Sequence, residues 1–264
     1  MSKIKAKRIV IKIGTAAITK NEKLDLNFID RKVKEISGLA KGGKEVILVT
    51  SGAVGAGMMI EGLNKRPKDT LKLQLLSGKG QPALFKTYSD NFRKYGIKTA
   101  QILLTHHNFD NKIEERTVKN IMNAYLKEKT IAIINENDMV SKEEFVGNNL
   151  KRFTDNDELA GLVAENLEAD LLLILTDVHG LYSCNPKKDK KASLIREVGK
   201  LTKEIEMMAT KDMCNMSLGG MYSKVHVAKR LLGKGITTIV AHGNSKLDKI
   251  LDGRAKRTVF LAKV

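Results

Sequence analysis

Lys12 stands inside an otherwise apolar run, Ile9-Val10-Ile11-Lys12-Ile13. An unpaired charge in a low-dielectric interior is costly, so its ammonium must meet water, a partner carboxylate or an anionic ligand. Strand alternation offers a plainer reading, in which Val10, Lys12 and Gly14 share a half-wet face. A second lysine, Lys224, follows Gly219-Gly220-Met221-Tyr222-Ser223 where an amphipathic stretch begins. There it opposes the positive end of the helix dipole. A phosphate held jointly by that dipole, the glycine N–H groups and Lys224 would reverse the sign; without one, Lys224 is a surface lysine. Ser51-Gly52-Ala53-Val54-Gly55-Ala56-Gly57 follows another apolar run. Its three glycines and serine either let backbone N–H groups approach an anion or simply make a tight turn into a helix. It is neither a Walker A loop nor a Gly-x-Gly-x-x-Gly fingerprint.

Three polar clusters complete the set. Asn135-Glu136-Asn137-Asp138 suits a substrate amino group, or a turn with Asx caps. In Thr154-Asp155-Asn156-Asp157-Glu158, Asp155 with Glu158 has the form of a capping box. Capping uses one or two of these groups and leaves the others for chemistry. Thr176-Asp177-Val178-His179-Gly180 closes a further apolar run, where Asp and Gly also make a turn. His179 has no second ligand at metal spacing, so it reads as structural or surface, and no metal site is assigned. Two lysines, two glycine-rich loops and a carboxylate cluster, without a serine–histidine–acid set, fit phosphoryl transfer. That chemistry asks a protein mainly for positioning and charge neutralisation.

Such groups must be held by a scaffold. Apolar runs at 8–13, 45–50, 98–104, 131–135, 170–176, 236–241 and 258–262 read as strands. Amphipathic stretches lie between them, marked by Ile29, Val33 and Ile36, by Leu159, Leu162, Val163 and Leu167, and by Tyr222, Val225, Ala228 and Leu232. The alternation predicts an α/β fold, an open, mainly parallel sheet sandwiched between helices, with ligands beyond the carboxyl ends of the strands. No Pro- or Ser-rich linker or internal repeat divides the 264 residues, which predicts one domain with two lobes. The charge run 187–191 reads as a solvated loop.

Net charge is +17, from 47 basic and 30 acidic residues. The lysines are dispersed and aromatics make up only 5% of the chain, which favours a cationic surface that attracts anionic substrates over a nucleic-acid-binding protein. Cys184 and Cys214 form no Cys-x-x-Cys pair, so a reducing compartment fits. Lys12 interrupts any signal-peptide core, and the apolar run 171–175 is too short to cross a bilayer. The expectation is a soluble, cytoplasmic protein with no membrane partner.

Lys12 with Gly14-Thr15, VTSGAVGAG at 49–57, INENDMV at 134–140, DNDELA at 155–160, ILTDVHGLY at 174–182 and GGMYSK at 219–224 resemble, in order, the motifs of the amino acid kinase family. The resemblance implies that Lys12 and Lys224 neutralise a transferring phosphoryl group and that Asp157 holds both lysines. It implies that Ser51, Asp138 and Asn156 bind the acceptor, with the Gly52 loop beside the reacting carboxylate. Lys12, Thr176, Asp177, Leu218, Gly219, Gly220, Met221, Tyr222, Ser223 and Lys224 would contact ATP, with Mg²⁺ held mostly through the phosphates. The 49–57 and 134–140 segments resemble most the members whose acceptor is L-glutamate, which make γ-glutamyl phosphate in the first step toward proline. Acetylglutamate or another small acid is the alternative acceptor. Residues 1–168 would form the acceptor lobe and 169–264 the nucleotide lobe, without the C-terminal PUA domain that many members carry. Proline as feedback inhibitor and a homodimer or homotetramer are further implications. The chain departs from the family pattern where 148–153 intervene before Thr154, which replaces a glycine, and where Ser217-Leu218 replace Gly-Thr.

Overall fold

The apolar run containing Lys12 becomes β1 (Arg8–Ile13), a central strand of the sheet. The structure is a computed structural model and describes residues 3–141, 156–184, 186, 189, 191–210 and 220–262. The 148–153 segment, Thr154, Asp155, Cys214, Ser217, Leu218, Gly219 and most of the 187–191 run lie outside the described residues.

After β1 come α1 (Thr15–Ile18), a hairpin of β2 (Thr19–Lys20) and β3 (Lys23–Leu24), and α2 (Leu26–Lys41). β4 (Glu45–Thr50) leads into α3 (Ala53–Ile60) and the long α4 (Thr70–Arg93). Next are β5 (Thr99–Leu104), α5 (His107–Asp110), α6 (Lys112–Lys127), β6 (Ile131–Glu136), α7 (Asn156–Asn166) and β7 (Leu171–Thr176). The described chain continues through β8 (Glu197–Val198), α8 (Lys203–Thr210), α9 (Met221–Leu232), β9 (Thr237–His242), α10 (Leu247–Leu251) and β10 (Arg257–Phe260). Among the described residues, eight strands form one sheet in the order β5-β6-β4-β1-β7-β9-β10-β8. The six from β5 to β9 are parallel, and β10 runs antiparallel to β9. Each predicted strand lies within two residues of an observed one. α2, α4 and α6 start on Asp25, Asp69 and Asn111, whose side chains accept from Phe28, Lys72 and Ile113 N–H groups.

Alternation along β1 decides where Lys12 points. Ile9, Ile11 and Ile13 pack with Ile29, Val33 and Ile36 of α2, Leu84 and Tyr88 of α4 and Ile250 of α10. Val10 faces the opposite layer, with Leu159 and Val163 of α7 and Val225, Ala228 and Leu231 of α9. Lys12 shares the Val10 side. The half-wet face is therefore corrected: both faces of β1 are covered, and Lys12 is only 6% exposed because a carboxylate meets it there.

The unanticipated part of the fold is the α3–α4 pair. A Cβ on Gly57 would lie 2.0 Å from the Leu76 carbonyl oxygen, and one on Gly80 1.9 Å from that of Ala53. Only glycines allow these two helix backbones to touch. Among the described residues, no helix is long and apolar enough to cross a membrane.

Candidate active site

The chain leaves β1 for β4 on one side and reaches β7 on the other, so strand connectivity reverses around β1. Crevices at such reversals, beyond the carboxyl ends of parallel strands, are the places where α/β sheets bind ligands. The quoted motifs leave the sheet here: Gly14 after β1, Ser51 after β4, Asn135 near the end of β6 and Thr176 at the end of β7.

The two lysines meet on one carboxylate. Lys12 Nζ lies 2.6 Å from Asp157 Oδ1, and Lys224 Nζ lies 2.8 Å from Asp157 Oδ2. Ser223 Oγ donates to Oδ2 at 2.9 Å. Lys224 is 4% exposed, so it is not a surface lysine, and Asp157 is wholly buried. Burial pushes the Asp157 carboxyl up, but the ammonium groups of Lys12 and Lys224 and their hydrogen bonds outweigh it and hold the group well below the usual carboxylate range. Two ammonium groups thus share one buried carboxylate, an arrangement suited to meeting an anion. Gly14 keeps space for Lys12: a Cβ there would stand 3.2 Å from Nζ.

Packing of α7 on α9 fixes Asp157 beside Lys224. Glu158 pairs with Arg230, and Arg230 Nε reaches Glu165 at 3.3 Å. Glu158 thus ties the two helices together; its proposed capping partner, Asp155, lies outside the described residues. Gly161 brings the helices close, since a Cβ there would lie 2.7 Å from Val227 Cγ1.

On the β4 side, Gly52 opens α3 at φ 114°, a left-handed conformation that favours glycine. Asn156 Nδ2 donates to Ser51 Oγ at 2.8 Å and to Asn135 Oδ1 at 3.2 Å. Asn135 Nδ2 in turn donates to Gln81 Oε1 at 2.7 Å. Asp138 is buried, accepts from Ser77 Oγ, and its carbonyl accepts from Gln74 Nε2 at 2.9 Å. Ser51 and Asn156 are thus in direct contact. Gln74, Ser77 and Gln81 are partners that the sequence reading missed; their signal is polar residues at helical spacing among the buried Leu73, Leu76 and Leu84.

Toward β7, Gly14 N–H donates to the Leu175 carbonyl at 3.1 Å, which sets Thr176 beside the β1 exit. Thr176 Oγ1 donates to Asp177 Oδ1 at 3.2 Å, and Asp177 is exposed. Gly220 caps α9 without a side-chain bond, and the half-buried Tyr222 stacks with His226 at 6.3 Å between ring centroids. His179 lies 5.0 Å from the His242 ring. Burial, His242 and Lys256 lower its pKa.

The model of the amino acid kinase family matches residues 7–242. The chain belongs to the amino acid kinase family. One relative, named glutamate 5-kinase, from Ligilactobacillus salivarius (strain UCC118), is 39% identical over 258 residues, covering 97% of this chain and 96% of the relative. Another of that name, from Thermoanaerobacter sp. (strain X514), is 38% identical and covers 96% of this chain and 68% of the relative. Among solved structures of the same fold, carbamate kinase from Giardia lamblia bound to AMP-PNP superposes with a TM-score of 0.64 at 19% identity, over 96% of this chain and 98% of that one. An isopentenyl phosphate kinase in complex with substrate gives 0.64 at 17% identity, over 96% and 99%. The open, mainly parallel sheet flanked by helices is the amino acid kinase fold.

Proposed function

We propose that this protein transfers the γ-phosphoryl group of ATP to the γ-carboxylate of L-glutamate, giving γ-glutamyl phosphate and ADP. The observation that carries this reading is the convergence of Lys12 and Lys224 on Asp157 at the carboxyl edge of the sheet. The name shared by relatives 36–39% identical over nearly the whole chain supports glutamate as acceptor.

The chemistry follows from charge. A glutamate carboxylate is ionised at neutral pH, so the nucleophile needs no general base. The obstacle is repulsion between two anions. Lys12 and Lys224 offset it, most strongly in the transition state, where charge spreads over the oxygens of the transferring group. Asp157, kept ionised, positions both ammonium groups and is not a proton acceptor. Ser51, Asn156 and Asp138 hold the amino acid on the β4 and β6 side, where the carboxylate of Asp138 suits an α-ammonium. Thr176, Asp177 and the residues from Gly220 to Lys224 hold the nucleotide on the β7 side. Residues 1–168 thereby serve the acceptor and 169–264 the nucleotide. Magnesium would enter with the nucleotide as MgATP, held mainly through the phosphates.

The test is to incubate the protein with MgATP and a panel of small acids, trapping acyl phosphate as hydroxamate. ATP-dependent hydroxamate with L-glutamate is expected. Product from N-acetylglutamate or another acid, with none from glutamate, would contradict the assignment.

A further inference from the structure

We infer that Gln74, Ser77 and Gln81 on α4 position the acceptor site, with Ser77 aiming the carboxylate of Asp138 at the substrate ammonium; this rests on the amino-acid acceptor proposed above. The three residues follow i, i+3, i+7 spacing and share one helix face. They are 8%, 3% and 8% exposed, on a helix that buries Leu73, Leu76, Leu84 and Tyr88. Buried polar side chains cost stability unless they are hydrogen-bonded, and apolar residues would fill such a layer without that demand. What they bond is therefore informative.

Gln74 Nε2 donates to the carbonyls of Asp138 at 2.9 Å and Ser141 at 3.3 Å. Ser77 Oγ donates to Asp138 Oδ2. Gln81 accepts from Asn135, which accepts from Asn156, which also donates to Ser51. This one helix face thus reaches, directly or through a single chain of hydrogen bonds, every side chain assigned above to acceptor binding. Pinning Oδ2 of Asp138 leaves its Oδ1 buried with no hydrogen-bond partner among the described residues, and the same holds for Asn156 Oδ1. Two buried acceptor atoms without donors call for a ligand bearing N–H groups.

Ser77 touches Asp138 and not the reacting atoms, so it is a positioning residue. Its test is steady-state kinetics of Ser77→Ala and of Ser77→Cys, which nearly keeps the volume and offers only a weak donor. Losing one hydrogen bond to a buried carboxylate is expected to raise KM for glutamate about tenfold or more in each. kcat and KM for ATP should stay within about twofold, a split that general loosening of the fold would not produce. Should only one variant fold, that one decides. An unchanged KM for glutamate in a folded variant, or equal losses for both substrates, would overturn the inference. The panel of acids is run on wild type first: if another acid is the acceptor, its KM is read in place of glutamate's. A wild type inert toward every acid would overturn the function itself and this inference with it.

Discussion

Asp157 joins charges from two distant parts of the chain, and its substitution has two separable consequences. Asp157→Asn removes the carboxylate that both buried ammonium groups meet, which is expected to cost about 3–5 kcal/mol. The pH dependence follows from the direction of its shift. The folded carboxyl is held below the usual range, so on acidification the unfolded chain takes up the proton first. The stabilisation is complete above the ordinary carboxylate pKa of about 4 and fades as pH falls further. Urea unfolding of both proteins should show their widest stability gap near neutrality, narrowing below that point; a gap that widens in acid would contradict the ion pairing. At this scale the sequence is partly legible. Lys12 declares itself because a charge inside an apolar strand must be paired. Asp157 is harder to read, because an acid at a helix start is equally at home as a cap. Ser77 and Gln81 show only their helical spacing in the sequence; their role is not legible there, since their partners come from another strand and loop.

Among the elements, the strands are the most legible, because parallel strands buried on both faces are short runs of Val, Ile and Leu bounded by polar residues. Their order is not written in those runs; it depends on which crossover lands beside which neighbour. The α3–α4 pair is illegible for a different reason. Its glycines look like loop or turn residues, yet Gly57 and Gly80 sit inside helices where two backbones cross. That crossing carries Gln74, Ser77 and Gln81 to the site and follows directly on Ser51-Gly52. Gly80→Ala, with its Cβ 1.9 Å from the Ala53 carbonyl oxygen, must push the helices apart. The expected loss is about 2–4 kcal/mol of stability, together with weaker glutamate binding. Thermal melts and glutamate KM check this, and a variant with wild-type values in both would contradict the close crossing.

Across the whole molecule, the sheet brings an ammonium from its first strand and one from its penultimate described helix to a single point. The net charge of +17 favours the approach of anionic substrates in general, and the Lys12–Asp157–Lys224 cluster stands where the transferred charge would be met. The central claim is that these two amines act together on the transferring phosphoryl group. The most direct measurement is kcat for ATP-dependent γ-glutamyl hydroxamate formation by Lys12→Met, read beside its thermal melt. A folded variant with kcat lowered about 100-fold or more is predicted. A folded variant turning over at near the wild-type rate would contradict the account.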